Sequence, residues 1–195
     1  MSQTAPMPLD FRALWSKAIP YHEFVRDAGT SRELWKAMAR IANVPEWAIA
    51  AVRATGRKFN LLVLAEDWCG DGSSTIPYLA KLATLTRSLE VRVLRRDDHP
   101  VVMDRYLTDG ARAIPIVIVL NRRFAELGHW GPRPRALQEW VQRERAATGM
   151  KPPYPQIRRW YARDKGESVL REVLELLNKE ASLVVGKGSL QVMAG

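Results

Sequence analysis

Residues 66–74, EDWCGDGSS, contain the single cysteine of the chain, Cys69. It stands between Trp68 and Gly70, and small residues follow it at Gly72, Ser73 and Ser74, where a turn would enter a helix. A thiol at a helix start can be a nucleophile, because the helix dipole and its free N–H groups stabilise the thiolate. Glu66, Asp67 and Asp71 oppose that. One carboxylate at ~6 Å disfavours the thiolate by about 0.7 kcal/mol through water, and by roughly 3 kcal/mol at an effective dielectric of 20. The helix end offers about 0.3–1 kcal/mol when exposed and about 2 when partly buried. The effects nearly balance, with the carboxylates slightly ahead. Cys69 is therefore expected to titrate near or above the ~8.5 of a free thiol.

The same residues suggest other chemistry. Cys69 with His129 as base would make a cysteine hydrolase, although a β-α-β unit separates the two. DWCGDG opens like a calcium loop, but Cys69 and Tyr78 stand where such a loop needs oxygen ligands. One cysteine and three histidines give no zinc spacing. No phosphate-binding or dinucleotide-binding glycine pattern is present. No metal and no cofactor is expected.

The elements that would position Cys69 follow from periodicity. Residues 9–56 read as helices. Thr30 and Glu33 form a candidate capping box for a helix through Ile41, and Asn43 is the candidate cap of a second helix ending before Gly56. Trp35, Met38 and Ile41 recur at helical spacing and are expected to face the core, as are Trp47, Ile49 and Val52. Residues 60–65, NLLVLA, form a continuous apolar run typical of a strand buried on both faces. A helix is expected over 73–88, with Ile76, Leu79, Leu82 and Leu85 on one side. A strand should begin at Val91, and a helix should run from Pro100 to a cap at Gly110. IPIVIVLN and RFAELGHW read as a hairpin, and an amphipathic helix should end near Gly149. KPPYP reads as a link to a last helix over 167–180, with a glycine-punctuated tail over 184–195.

The order over 57–148 is β-α-β-α-β-β-α, which demands parallel pairing with right-handed crossovers and an antiparallel closing edge. One compact α/β domain is expected, with an N-terminal helical extension (1–56), a core (57–148) and a C-terminal extension and tail (149–195). A chain of 195 residues, 47% hydrophobic and 26% charged, fits one such domain. A single cysteine excludes an internal disulfide, no apolar run is long enough for a membrane span, and the first residues do not read as a secretory signal. These features point to the cytoplasm. The net charge of +9 attracts polyanions weakly. Its basic residues look scattered apart from a modest cluster in PQIRRWYARDKG, and no binding motif accompanies them, so nucleic acid is not an expected partner.

With WCG at a strand-to-helix turn and AIP opening a later strand, residues 57–148 resemble the thioredoxin-like superfamily. The EDWCGD form is similar to a bacterial branch of it. The resemblance implies that Cys69 is the nucleophile and that Trp68, Gly70, Asp71, Ile114 and Pro115 meet the substrate. It implies a cis peptide bond before Pro115, which lies beside the thiol, while Ile114 pairs with a bound chain. Ser73 and Ser74 would supply contacts near the sulfur. Two departures follow. The place of the family's second, resolving cysteine is Gly72, and the place of its buried carboxylate is Val63. What remains is a monothiol, exchanging with a thiol- or disulfide-containing protein or small thiol, its intermediate cleared by an external thiol such as glutathione. The alternative is a non-catalytic module that holds an extended peptide at the open edge.

Overall fold

The computed structural model describes residues 8–188, with residues 179–188 as backbone. Along the chain lie α1 (Phe11–Lys17), β1 (Ile19–Pro20), α2 (Tyr21–Arg26), α3 (Arg32–Ile41), α4 (Glu46–Ala54), β2 (Phe59–Ala65), α5 (Gly70–Thr86), β3 (Leu89–Arg95), α6 (Pro100–Met103), β4 (Ile116–Asn121), β5 (Glu126–Trp130), α7 (Arg135–Thr148), α8 (Tyr154–Asp164) and α9 (Glu167–Gly188). The strands form one sheet in the order β1-β3-β2-β4-β5. β2 is parallel to β3, with Leu61 opposite Val91, and antiparallel to β4, with Val63 opposite Val117. β5 closes the sheet as an antiparallel hairpin with a register shift between Val119 and Leu120. This is a mixed α/β, thioredoxin-like architecture with added helices.

Alternation along β2 decides how the two faces are used. Leu61, Val63 and Ala65 enter one apolar cluster, and Leu62 and Leu64 enter the other; all five are fully buried. A strand with no polar alternate must be covered on both sides. One face is covered by Trp35, Val52, Leu79, Leu82, Val169 and Val173, from α3, α4, α5 and α9. The other is covered by Trp15 of α1, by Val102 and Met103 of α6, and by Tyr106; Cys69 belongs to this second cluster. Leu137, Val141, Ile157 and Tyr161 join α7 to α8 in a third cluster.

Several expectations change. The helix after Pro100 ends at Met103, because Thr108 and Ala111 exchange backbone hydrogen bonds across a tight turn and Arg112 forks onto Asp104 at 2.7 and 2.8 Å. Gly110 lies in that turn and caps nothing. α3 begins after Ser31 and α4 after Pro45, neither with a side-chain cap, so Thr30–Glu33 and Asn43 do not cap them. Ile41 (66% exposed) and Leu85 face solvent. α5 starts at Gly70, three residues earlier than its pattern suggested. β1 takes the edge of the sheet from within the N-terminal segment, pairing Ile19 with Val93. KPPYP opens α8, since Pro153 is its N-cap and Pro155 lies in its first turn, where no intrahelical N–H is needed. α9 continues through 184–188, and residues 189–195 lie outside those described. Among the described residues, no helix is long and apolar enough to cross a membrane.

Candidate functional site

Strand β2 ends at Ala65, and the turn Glu66–Asp67–Trp68 delivers Cys69 to the N-cap of α5. The sulfur itself caps the helix. Sγ accepts the Gly72 N–H at 3.2 Å, and the thiol donates to the Ile114 carbonyl at 3.4 Å. The Ile114 carbonyl thus lies against the cysteine turn, and the peptide bond between Ile114 and Pro115 is cis, as is Gly131–Pro132. The residue is only 6% exposed.

Burial governs the acidity of this thiol. Desolvation is the largest influence and pushes Cys69 up to about 11, against the pull of the Gly72 N–H; the Asp71 charge adds to the rise, while the Asp71 N–H and Arg133 oppose it. The direction matches the expectation from sequence, but burial leads, and of the three nearby carboxylates only Asp71 adds to the rise; each of the three has partners of its own. Glu66 accepts the Asp97 N–H at 2.9 Å and faces Arg95 at 3.5 Å. Asp67 accepts the Gly29 N–H at 2.7 Å. Asp71 pairs with Arg133 at 2.7 Å and accepts the Tyr161 hydroxyl at 2.9 Å. The raised value also sets a sign. Below the ordinary thiol value the stabilising contribution is complete, and it is lost as pH rises through about 11.

The site residues expected from sequence divide into exposed and enclosed. Trp68 is 52% exposed, and the Arg96 guanidinium lies 4.9 Å from its ring centroid. Asp71 is buried in the Arg133–Tyr161 network, so it does not offer itself to a substrate. Gly70 is covered: a Cβ there would overlap the Tyr154 hydroxyl of α8. Ser73 and Ser74 donate to the Gly70 carbonyl at 2.9 and 2.8 Å, not to the thiol. His129 is not brought to Cys69. It stands opposite Ile118 on β4, four residues along from the Ile114 carbonyl, and its ring faces Glu126 at 3.7 Å and Tyr106 at a centroid distance of 4.9 Å. The hydrolase arrangement is absent.

Both extensions clamp the cysteine turn. From the N-terminal side the Trp35 indole N–H donates to the Asp67 carbonyl at 2.7 Å. From the C-terminal extension come Tyr154 and Tyr161 of α8, and Arg133 joins them from the core loop between β5 and α7. No local motif marks these residues, because they meet the turn only through tertiary packing. Alongside, a groove of about 1200 Å³ opens between α3 and α8, walled in part by Met38, Ile41 and Tyr154.

The Gly72 position is compatible with a second sulfur. A Cβ there would lie 3.5 Å from the Cys69 Cβ and 3.3 Å from the Trp35 ring. The first distance falls within the usual disulfide span of ~3.5–4.5 Å, and the ring has to yield by a few tenths of an ångström. Gly72→Cys should oxidise to an internal disulfide, read as loss of both titratable thiols, and should reduce insulin faster than the parent. Two thiols that stay free under oxidant would refute this geometry.

A family model described as thioredoxin matches residues 18–147. No curated protein matches. Among solved structures, a Pseudomonas aeruginosa protein of unknown function is 20% identical, with a TM-score of 0.70, over 88% of this chain and 98% of its own. An HIV epitope scaffold is 19% identical, with a TM-score of 0.70, over 87% and 98%. At these identities the two structures share the fold.

Proposed function

We propose that this chain, which belongs to the thioredoxin family, uses its core as a binding module for a partner polypeptide, with Cys69 resting as an un-ionised thiol. The observation that carries this reading is the enclosed sulfur. At about 11, only about one thiol in ten thousand is ionised at pH 7, and the thiolate is the attacking form. The half-exposed Trp68 ring, with the Arg96 guanidinium over it, offers the partner an apolar anchor next to Cys69 in the chain. The neighbouring α3–α8 groove offers room for further side chains.

A second reading, monothiol exchange cleared by an external thiol such as glutathione, is favoured by the Gly72 N–H aimed at the sulfur. That N–H would stabilise a thiolate once a docked partner opened the site.

One capture experiment separates the two. Wild type and Cys69→Ser are used as bait without reductant. The binding reading expects the same partners on both, unaffected by dithiothreitol. Partners held by wild type alone and released by dithiothreitol would establish exchange instead.

A further inference from the structure

Away from the cysteine, α7 and α8 enclose a second groove of about 500 Å³. Helical spacing builds its two walls. Trp140 and Arg143 come from α7, three residues apart. Gln156, Arg159 and Arg163 come from α8 at intervals of three and four, with Trp160 beside them. Both indoles are half-buried and pack on the Leu137–Val141–Ile157–Tyr161 cluster, which fixes their rings. The three arginines are exposed. None has an ion-pair or hydrogen-bond partner among the described residues, and no acidic side chain lines the groove.

From this arrangement we infer a binding site for a phosphorylated planar ligand: a nucleotide, either free or as one unit of a single strand. Three guanidiniums brought together without acids repel one another, and an anion relieves that repulsion. Guanidinium forks suit phosphate oxygens. A bare anion or an acidic peptide would leave two fixed indoles idle, whereas a base can stack on them, as it does on aromatic side chains that hold single strands. The site lies on different elements from Cys69, so it stands or falls independently of the proposed binding function. The basic residues look scattered in sequence because α7 and α8 converge only in the fold.

The test measures binding of a fluorescein-labelled single-stranded thymidine oligomer and of ADP to the whole protein, the latter through tryptophan quenching, with poly-glutamate as a charge-only probe. The variants are Arg143→Ala/Arg159→Ala/Arg163→Ala and Trp140→Leu, with circular dichroism melts as folding controls. Expected is oligomer or ADP binding that drops at least about tenfold in the triple variant, with the salt slope for the oligomer reduced by about 2. A loss of at least about fivefold is expected in Trp140→Leu, and poly-glutamate should bind at least about tenfold more weakly than the oligomer. Binding of ADP with the same variant pattern assigns the site to free nucleotide; oligomer binding alone assigns it to a strand. If Trp140→Leu melts early, the triple variant, whose changes are all on exposed side chains, and the poly-glutamate comparison decide. Binding of neither probe, equal binding by wild type and triple variant, or poly-glutamate binding as tight as the oligomer would overturn the inference.

Discussion

Gly131→Ala should lower stability by about 3 kcal/mol or more, the sum of backbone strain and a clash in a packed interior. Gly131 adopts φ +129°, and a Cβ there would fall on the Pro115 carbonyl oxygen, close to the Ile116 Cα. Both neighbours are backbone and cannot rotate aside. For a chain of this length the loss corresponds to a fall of about 6–12 °C in melting temperature, read by circular dichroism. Gly149→Ala is the control: its φ is +72°, but nothing lies within 4 Å of the added Cβ, so only about 1 kcal/mol of strain is expected. The segment pushed aside in Gly131→Ala is the one whose Ile114 carbonyl receives the Cys69 thiol, so alkylation of Cys69 should speed up in that variant alone. Equal melting of the two variants would show that the strand end at Gly131 is loosely packed.

Arg133→Ala should cost about 3 kcal/mol, the lower end of what removing one member of a buried ion pair costs, because its guanidinium is partly exposed. Asp71 would keep only the Tyr161 hydroxyl as a charge-stabilising partner from the C-terminal extension. Burial and the Asp71 charge both hold the Tyr161 phenol well above its ordinary value, so it remains a donor. Replacing the pair together, as Asp71→Leu/Arg133→Met, should recover most of the loss, since an apolar pair of similar volume leaves no buried charge alone. Denaturant unfolding of the two variants reads the difference. A double variant as unstable as Arg133→Ala would mean that the network does more than neutralise Asp71.

The parts of the molecule legible in the sequence are those with local causes. NLLVLA announces a doubly buried strand because no polar residue interrupts it, and the WCG turn between that strand and α5 marks where the thiol stands. Gly149 ends α7, as its position after the amphipathic run suggests. What could not be read depends on distant chain. β1 is two residues long and is a strand only because β3 offers an open edge. α8 hides behind three prolines, although Ile157 and Tyr161 recur one turn apart. The acids around Cys69 looked free to repel a thiolate, because the arginines and N–H groups that occupy them lie 29–62 residues away or come from the added helices. Burial of the sulfur, the largest influence on its acidity, has no local signature.

That influence is also the most direct point of test. The rate of iodoacetamide alkylation of Cys69, the chain's single thiol, should follow a titration with its midpoint near 11, and at neutral pH it should be far slower than for a free cysteine. Asp71→Asn should move the midpoint down, since that carboxylate adds to the rise. A wild-type midpoint at or below about 7, in the range of primed redox cysteines, would contradict the account of an enclosed, un-ionised thiol.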